Sequence, residues 1–108
     1  MPRIATISGR AEFNYTGNCQ SGFTIEYESA PNIFVSSLLI KHIRSFFSGQ
    51  ALPGGFNVSS PSGFGLWLQE NTEFTSRNGS HIAAVMAHEN LIEYFKDGNT
   101  IFLVFPIN

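Results

Sequence analysis

The chain predicts an α+β fold, with an antiparallel or mixed sheet built from an N-terminal and a C-terminal hairpin and two amphipathic helices packed on one face. Three observations carry this prediction. Two early runs alternate polar and apolar residues, as half-buried strands do. Two later segments, near 37–48 and 76–89, repeat their apolar residues at helical spacing. Asp97-Gly98 sits between two β-prone runs and signals a tight hairpin. With 108 residues the chain suits one compact domain, 1–108, able to bury a core without disulfide staples.

In chain order, residues 3–15 and 22–28 read as the first two strands. Phe13 and Tyr15 share one face of the first; Phe23, Ile25 and Tyr27 share one face of the second. The link from Thr16 to Gly22 has turn chemistry. Residues 37–48 then place Leu39, Ile40, Ile43, Phe46 and Phe47 on one helical arc, with Lys41 and Arg44 opposite and Gly49 where a left-handed cap falls. An earlier start is open, with Ser29 as cap and Pro31 in the first turn; Ile33-Phe34-Val35 suits a short strand instead.

Residues 48–65 are rich in Gly, Ser and Pro and read as an extended connection. Its length suggests a structured excursion, a short strand near Phe56–Val58, or a lid. Residues 64–71 are ambiguous between helix and strand. Thr75 or Ser76 can cap the next helix, 76–89, whose apolar face is Ile82, Val85 and Met86, with Asn90 at its end. In the last hairpin a turn centred on Asp97-Gly98 pairs Phe95 with Thr100 and Glu93 with Phe102. Ile101–Phe105 is apolar on both faces, which predicts a strand central in a sheet or buried in an interface.

Composition narrows the function. Hydrophobic residues make up 43% and charged residues 13%, with 11 phenylalanines. A small domain has limited interior, so some of this aromatic surface is expected in an interface or pocket. A net charge of −2 exerts no general pull on phosphates or anionic lipid. No apolar run is long enough to span a bilayer, and no secretion signal is read at the N-terminus, so a soluble, cytoplasmic protein is the expectation. The lone Cys19 allows no internal disulfide and no multi-cysteine metal site.

The histidines do not spell a metal site. His81 and His88 lie two helical turns apart, about 10.5 Å along the axis, too far to chelate one ion alone. His88-Glu89 has Ile92 where a zinc-protease motif needs its second histidine. No cofactor and no metal are expected. Arg77, His81, Ala84 and His88 instead line one stripe beside the apolar arc. It reads as a solvated flank, or as a face turned to an anion or nucleic acid. Trp67 can anchor the core, wall a pocket or anchor an interface.

The leading expectation is therefore a non-enzymatic, homo-oligomeric binding module, a dimer, with an apolar and aromatic-lined interface or pocket for a small apolar ligand or a protein partner. Its candidate binding residues are Trp67, Arg77, His81, His88 and Phe102. An alternative is a winged-helix-like DNA-binding protein using the helix near 76–89, from the order helix, turn, helix, hairpin. Against it, residues 70–108 carry Arg77 and Lys96 as their only Lys or Arg, so nucleic acid is not expected as a partner. A further alternative, an enzyme with a His-centred site, has no motif behind it and is less favoured than a binding role.

Overall fold

The structure, a computed structural model, describes residues 3–9 and 11–107. Its elements run β1 (Arg3–Ala5), β2 (Glu12–Asn18), β3 (Gly22–Glu26), β4 (Ile33–Val35), α1 (Ser37–Phe46), β5 (Ala51–Pro53), α2 (Gly63–Asn71), α3 (Ser76–His88), β6 (Glu93–Asp97) and β7 (Thr100–Val104). The class is α+β, with two antiparallel sheets. The first is ordered β1-β2-β3-β4, and the second β5-β7-β6. The N-terminal and C-terminal hairpins thus found separate sheets, and α1–α3 join them.

The N-terminal sheet follows its alternation. Tyr15 pairs with Ile25 and Phe13 with Ile4, and the inward faces of β2 and β3 are buried. The run 3–15 is not one strand, however. The chain reverses after Ala5, with the Thr6 N–H donating to the Ala11 carbonyl at 2.9 Å, so β1 folds back on β2. Arg10, inside that run, lies outside the described residues.

Ile33–Val35 forms β4, so the helix does not begin at Ser29 or Pro31. It begins after Ser36, whose hydroxyl accepts the Leu39 N–H at 3.1 Å. Gly49 takes the left-handed conformation expected just beyond the helix, with φ +75°. Of the expected apolar arc of α1, Ile40, Ile43 and Phe47 are buried, but Phe46 is 53% exposed. It lies at the end of the helix against Trp67 rather than in the core.

In the 48–65 connection the strand is β5, at Ala51–Pro53, and not near Phe56–Val58. Residues 51–53 pair with β7, which draws the connection onto the C-terminal sheet. The ambiguous segment 64–71 falls within the helix α2, because Phe64 and Leu68 point one way into the core at spacing four. α3 begins with a reciprocal cap. The Thr75 hydroxyl accepts the Asn78 N–H at 3.2 Å, and the Asn78 carbonyl oxygen accepts the Thr75 N–H at 3.0 Å. It ends at His88, with Asn90 left-handed at φ 64°.

The final hairpin turns one residue later than Asp97-Gly98 implies. Asp97 pairs with Thr100 and Phe95 with Phe102, leaving Gly98-Asn99 as the loop. Of those two loop residues only Gly98 has positive φ, +62°, the arrangement of a turn with glycine first. Each residue therefore meets a partner two places from the expected one, which preserves the facing of every side chain. β7 is the central strand. Its Leu103 and the following Phe105 point into the core; Phe102 and Val104 point out.

Candidate functional site: a groove under helix α3

The α3 stripe is not a solvated flank. The helix lies against the N-terminal sheet, so His81 and Ala84 in the middle are buried, and only Arg77 and His88 at the ends are exposed. His81 is 9% exposed and wedged between Phe13 and Tyr27. Each of those rings meets the imidazole edge to face, with centroids 4.8 Å apart. The inward alternation of the first strands therefore supplies the walls of a histidine pocket.

The polar groups around His81 can be assigned. Its Nδ1 lies 3.4 Å from the Arg77 carbonyl oxygen, one helical turn back, and 3.4 Å from the Ser80 hydroxyl. Burial pushes the imidazole below its ordinary pKa and outweighs the carbonyl contact that favours the proton; the Arg77 charge adds to the lowering. The ring is thus neutral at pH 7. With Nδ1–H directed at a carbonyl, Nε2 carries the lone pair. Nε2 has no partner within the described residues and is not sealed from solvent. Tyr27 is held by Asn78, whose side-chain N–H donates to the phenol oxygen at 2.9 Å.

These residues line a groove of about 660 Å³, a volume typical of small-molecule sites. Arg77 and Arg3 stand at it, with Glu12, Glu26 and Glu28. Arg3 is paired with Glu12 at 3.0 Å and reaches Glu28 at 3.9 Å. Arg77 has no acidic partner among the described residues.

Of the five candidate residues, the groove unites Arg77 and His81 alone. His88 lines a separate depression of about 320 Å³ with Tyr94. Trp67 is half-buried in an aromatic cluster, 5.5 Å from Phe46 and from Phe47 and 5.7 Å from His42. Phe102 lies on the outer face of the C-terminal sheet, stacked on Phe95 at 5.3 Å. Phe13, Tyr27 and Asn78 belong to the groove but are not among the five candidates. Their alternation and capping patterns were legible, but which helix they would meet was not.

Cys19 sits elsewhere, buried at the β2–β3 turn. Its N–H donates to Glu89 Oε1 at 2.9 Å, and the Tyr15 hydroxyl donates to Glu89 Oε2 at 2.9 Å. Burial, then the Glu89 charge, pushes the thiol up to about 12, so it stays protonated and is a poor nucleophile. Among the described residues, no group of three or more His, Cys, Asp or Glu is placed to hold a metal.

Fold and groove together define a small α+β domain with a histidine-floored groove between a helix and an antiparallel sheet. No protein-family model, curated protein or solved structure matches the chain.

Proposed function

We propose that the protein is a non-enzymatic binding module that acts as a homodimer in the cytoplasm, closing the outer face of its C-terminal sheet against a second copy. The observation that carries this reading is a row across three strands. Phe95 pairs with Phe102, and Phe102 pairs with Pro53, all on the side of the sheet away from Leu103 and Leu52. Ala51 and Val104 form the row beside it. Phe95 is 49% exposed, and Phe102 beside it is half-covered.

Glu93, Asp97 and Thr100 edge the patch, giving an apolar centre with a polar rim. The free edge of β6 carries Glu93, Lys96 and Asp97, charges that discourage strand addition. Face-to-face packing therefore fits better than edge pairing, and a two-fold axis would lay one Phe95–Phe102 stack against the other. Cys19, buried and protonated, is a poor nucleophile, which favours binding over thiol chemistry.

Light scattering over a concentration series tests the reading. A mass of two chains, reduced to one by Phe95→Lys without loss of the folded circular-dichroism spectrum, is the expected result. A wild-type chain that stays monomeric at the highest concentration reached would end it.

A further inference from the structure

We propose that the groove under α3 binds a small aromatic acid that also carries a hydrogen-bond donor: the carboxylate pairs with Arg77, and the donor, a phenolic O–H or ring N–H, is taken by His81 Nε2. This site is built from other elements than the C-terminal sheet and does not depend on dimerisation.

The proposal rests on which polar groups are already committed. Asn78 uses its side-chain N–H on Tyr27 and its carbonyl oxygen on its own helix cap. Arg3 is committed to Glu12, and Glu26 accepts the Thr16 hydroxyl at 2.7 Å. On the helix side of the groove, two groups have no side-chain partner among the described residues: the Arg77 guanidinium, which donates, and His81 Nε2, which accepts. They are four apart on one helix, so they face the same side, about 6 Å between their Cβ atoms. One donates to an anion, the other accepts from a neutral donor. A ligand satisfying both needs an acid at one end and an O–H or N–H at the other.

The walls choose what lies between. Phe13, Tyr27, Ile33 and Pro31 offer aromatic and aliphatic surface on the sheet side of the groove. A planar ring fills such a slot and prefers edge or offset contact with Phe13 and Tyr27.

The glutamates pose the opposite option, a cationic ligand. Glu12 and Glu28 stand in solvent, with side chains 63% and 90% exposed, and share Arg3 between them. Exposed, paired charges act weakly and are screened by salt. The Arg77 charge, in contrast, is felt at both rings of the floor, since it disfavours a proton on His81 and favours ionised Tyr27. At that floor the Arg77 charge favours an anion, while the three glutamates of the lining favour a cation, and tyramine in the titration separates the two.

The test is a nitrogen-15 NMR titration of the full chain with 4-hydroxyphenylacetate, 4-methoxyphenylacetate and tyramine, reading the Arg77 Nε and His81 Nε2 resonances. Saturable shifts at both sites with 4-hydroxyphenylacetate at millimolar concentration are expected. Binding should weaken at least about tenfold with the methoxy ether, which has lost its donor, and about tenfold in Arg77→Gln, whose exposed side chain is dispensable for packing. Absence of a saturable shift with 4-hydroxyphenylacetate overturns the proposal. So does equal binding of the ether, or tyramine binding as tightly as the acid, which would assign the groove to cations.

Discussion

Glu89 ties three parts of the chain together. It follows α3 as the C-cap, accepts the Tyr15 hydroxyl from β2 and accepts the Cys19 N–H from the β2–β3 turn. Removing the carboxylate leaves two donors without an acceptor, so Glu89→Ala should lower the unfolding free energy by about 2 kcal/mol in urea titrations. Glu89→Gln keeps an acceptor but removes the charge. Its Cys19 thiol should titrate below the wild-type value of about 12 and react faster with iodoacetamide in the folded state. His81 supplies a different signal. Folding depresses its pKa, so the folded protein takes up the proton less readily than the unfolded chain. Its contribution to stability is complete above the ordinary histidine value of 6.5 and shrinks as pH falls below it. The groups that face it are Arg77 on its own helix, Phe13 and Tyr27 from the sheet, and Arg3, Glu12, Glu26 and Glu28 along the groove. Stability measured from pH 7 to 5 should therefore fall in the wild type and fall less steeply in His81→Gln.

Among the elements, α2 shows how a connection becomes part of the core. Its Gly65 packs against the loop before the helix, and the Gly65 N–H donates to the Gly54 carbonyl at 2.7 Å. A Cβ at Gly65 would run into the Gly55 carbonyl oxygen and the Ser76 side chain. Gly65→Ala should therefore destabilise by about 3 kcal/mol despite the better helix propensity of alanine, a sign reversal that thermal unfolding would show. Ala83→Gly, in buried α3, serves as a comparison in which only propensity and a methyl group are lost. The C-terminal hairpin makes a related point. Its turn chemistry was visible in Asp97-Gly98, but the register belongs to the stack of Phe95 on Phe102 and to the pairing of β7 with β5. A dipeptide marks where a chain reverses, and the cross-strand contacts choose between registers two residues apart.

For the chain as a unit, the aromatic excess divides three ways. Phe23, Phe64 and Phe105 are sealed in the core, Trp67 and Phe102 are half-covered, and Phe34, Phe46 and Phe95 lie largely in solvent. If the Phe95–Phe102 face closes against a second copy, dissociation is linked to unfolding. The midpoint of thermal unfolding should then rise with protein concentration in the wild type and not in Phe95→Lys, as calorimetry over a concentration series would record.

Strand alternation from Glu12 to Glu26, the α1 arc and the α3 cap were legible in the chain because they are local: period and capping depend on neighbours within a few residues. The aromatic surplus was legible too, since composition needs no coordinates. Other features depend on partners distant along the chain. The helical choice of α2, the β7 register and the burial of the α3 stripe were settled by contacts between segments far apart in number. Arg77 and His81 could be named as neighbours on one helix, but the groove exists because Phe13 in β2 and Tyr27 just beyond β3 arrive from more than fifty residues before His81. Periodicity tells which side of a helix is apolar; only packing tells which sheet meets it, and therefore which of its polar groups is left without a partner.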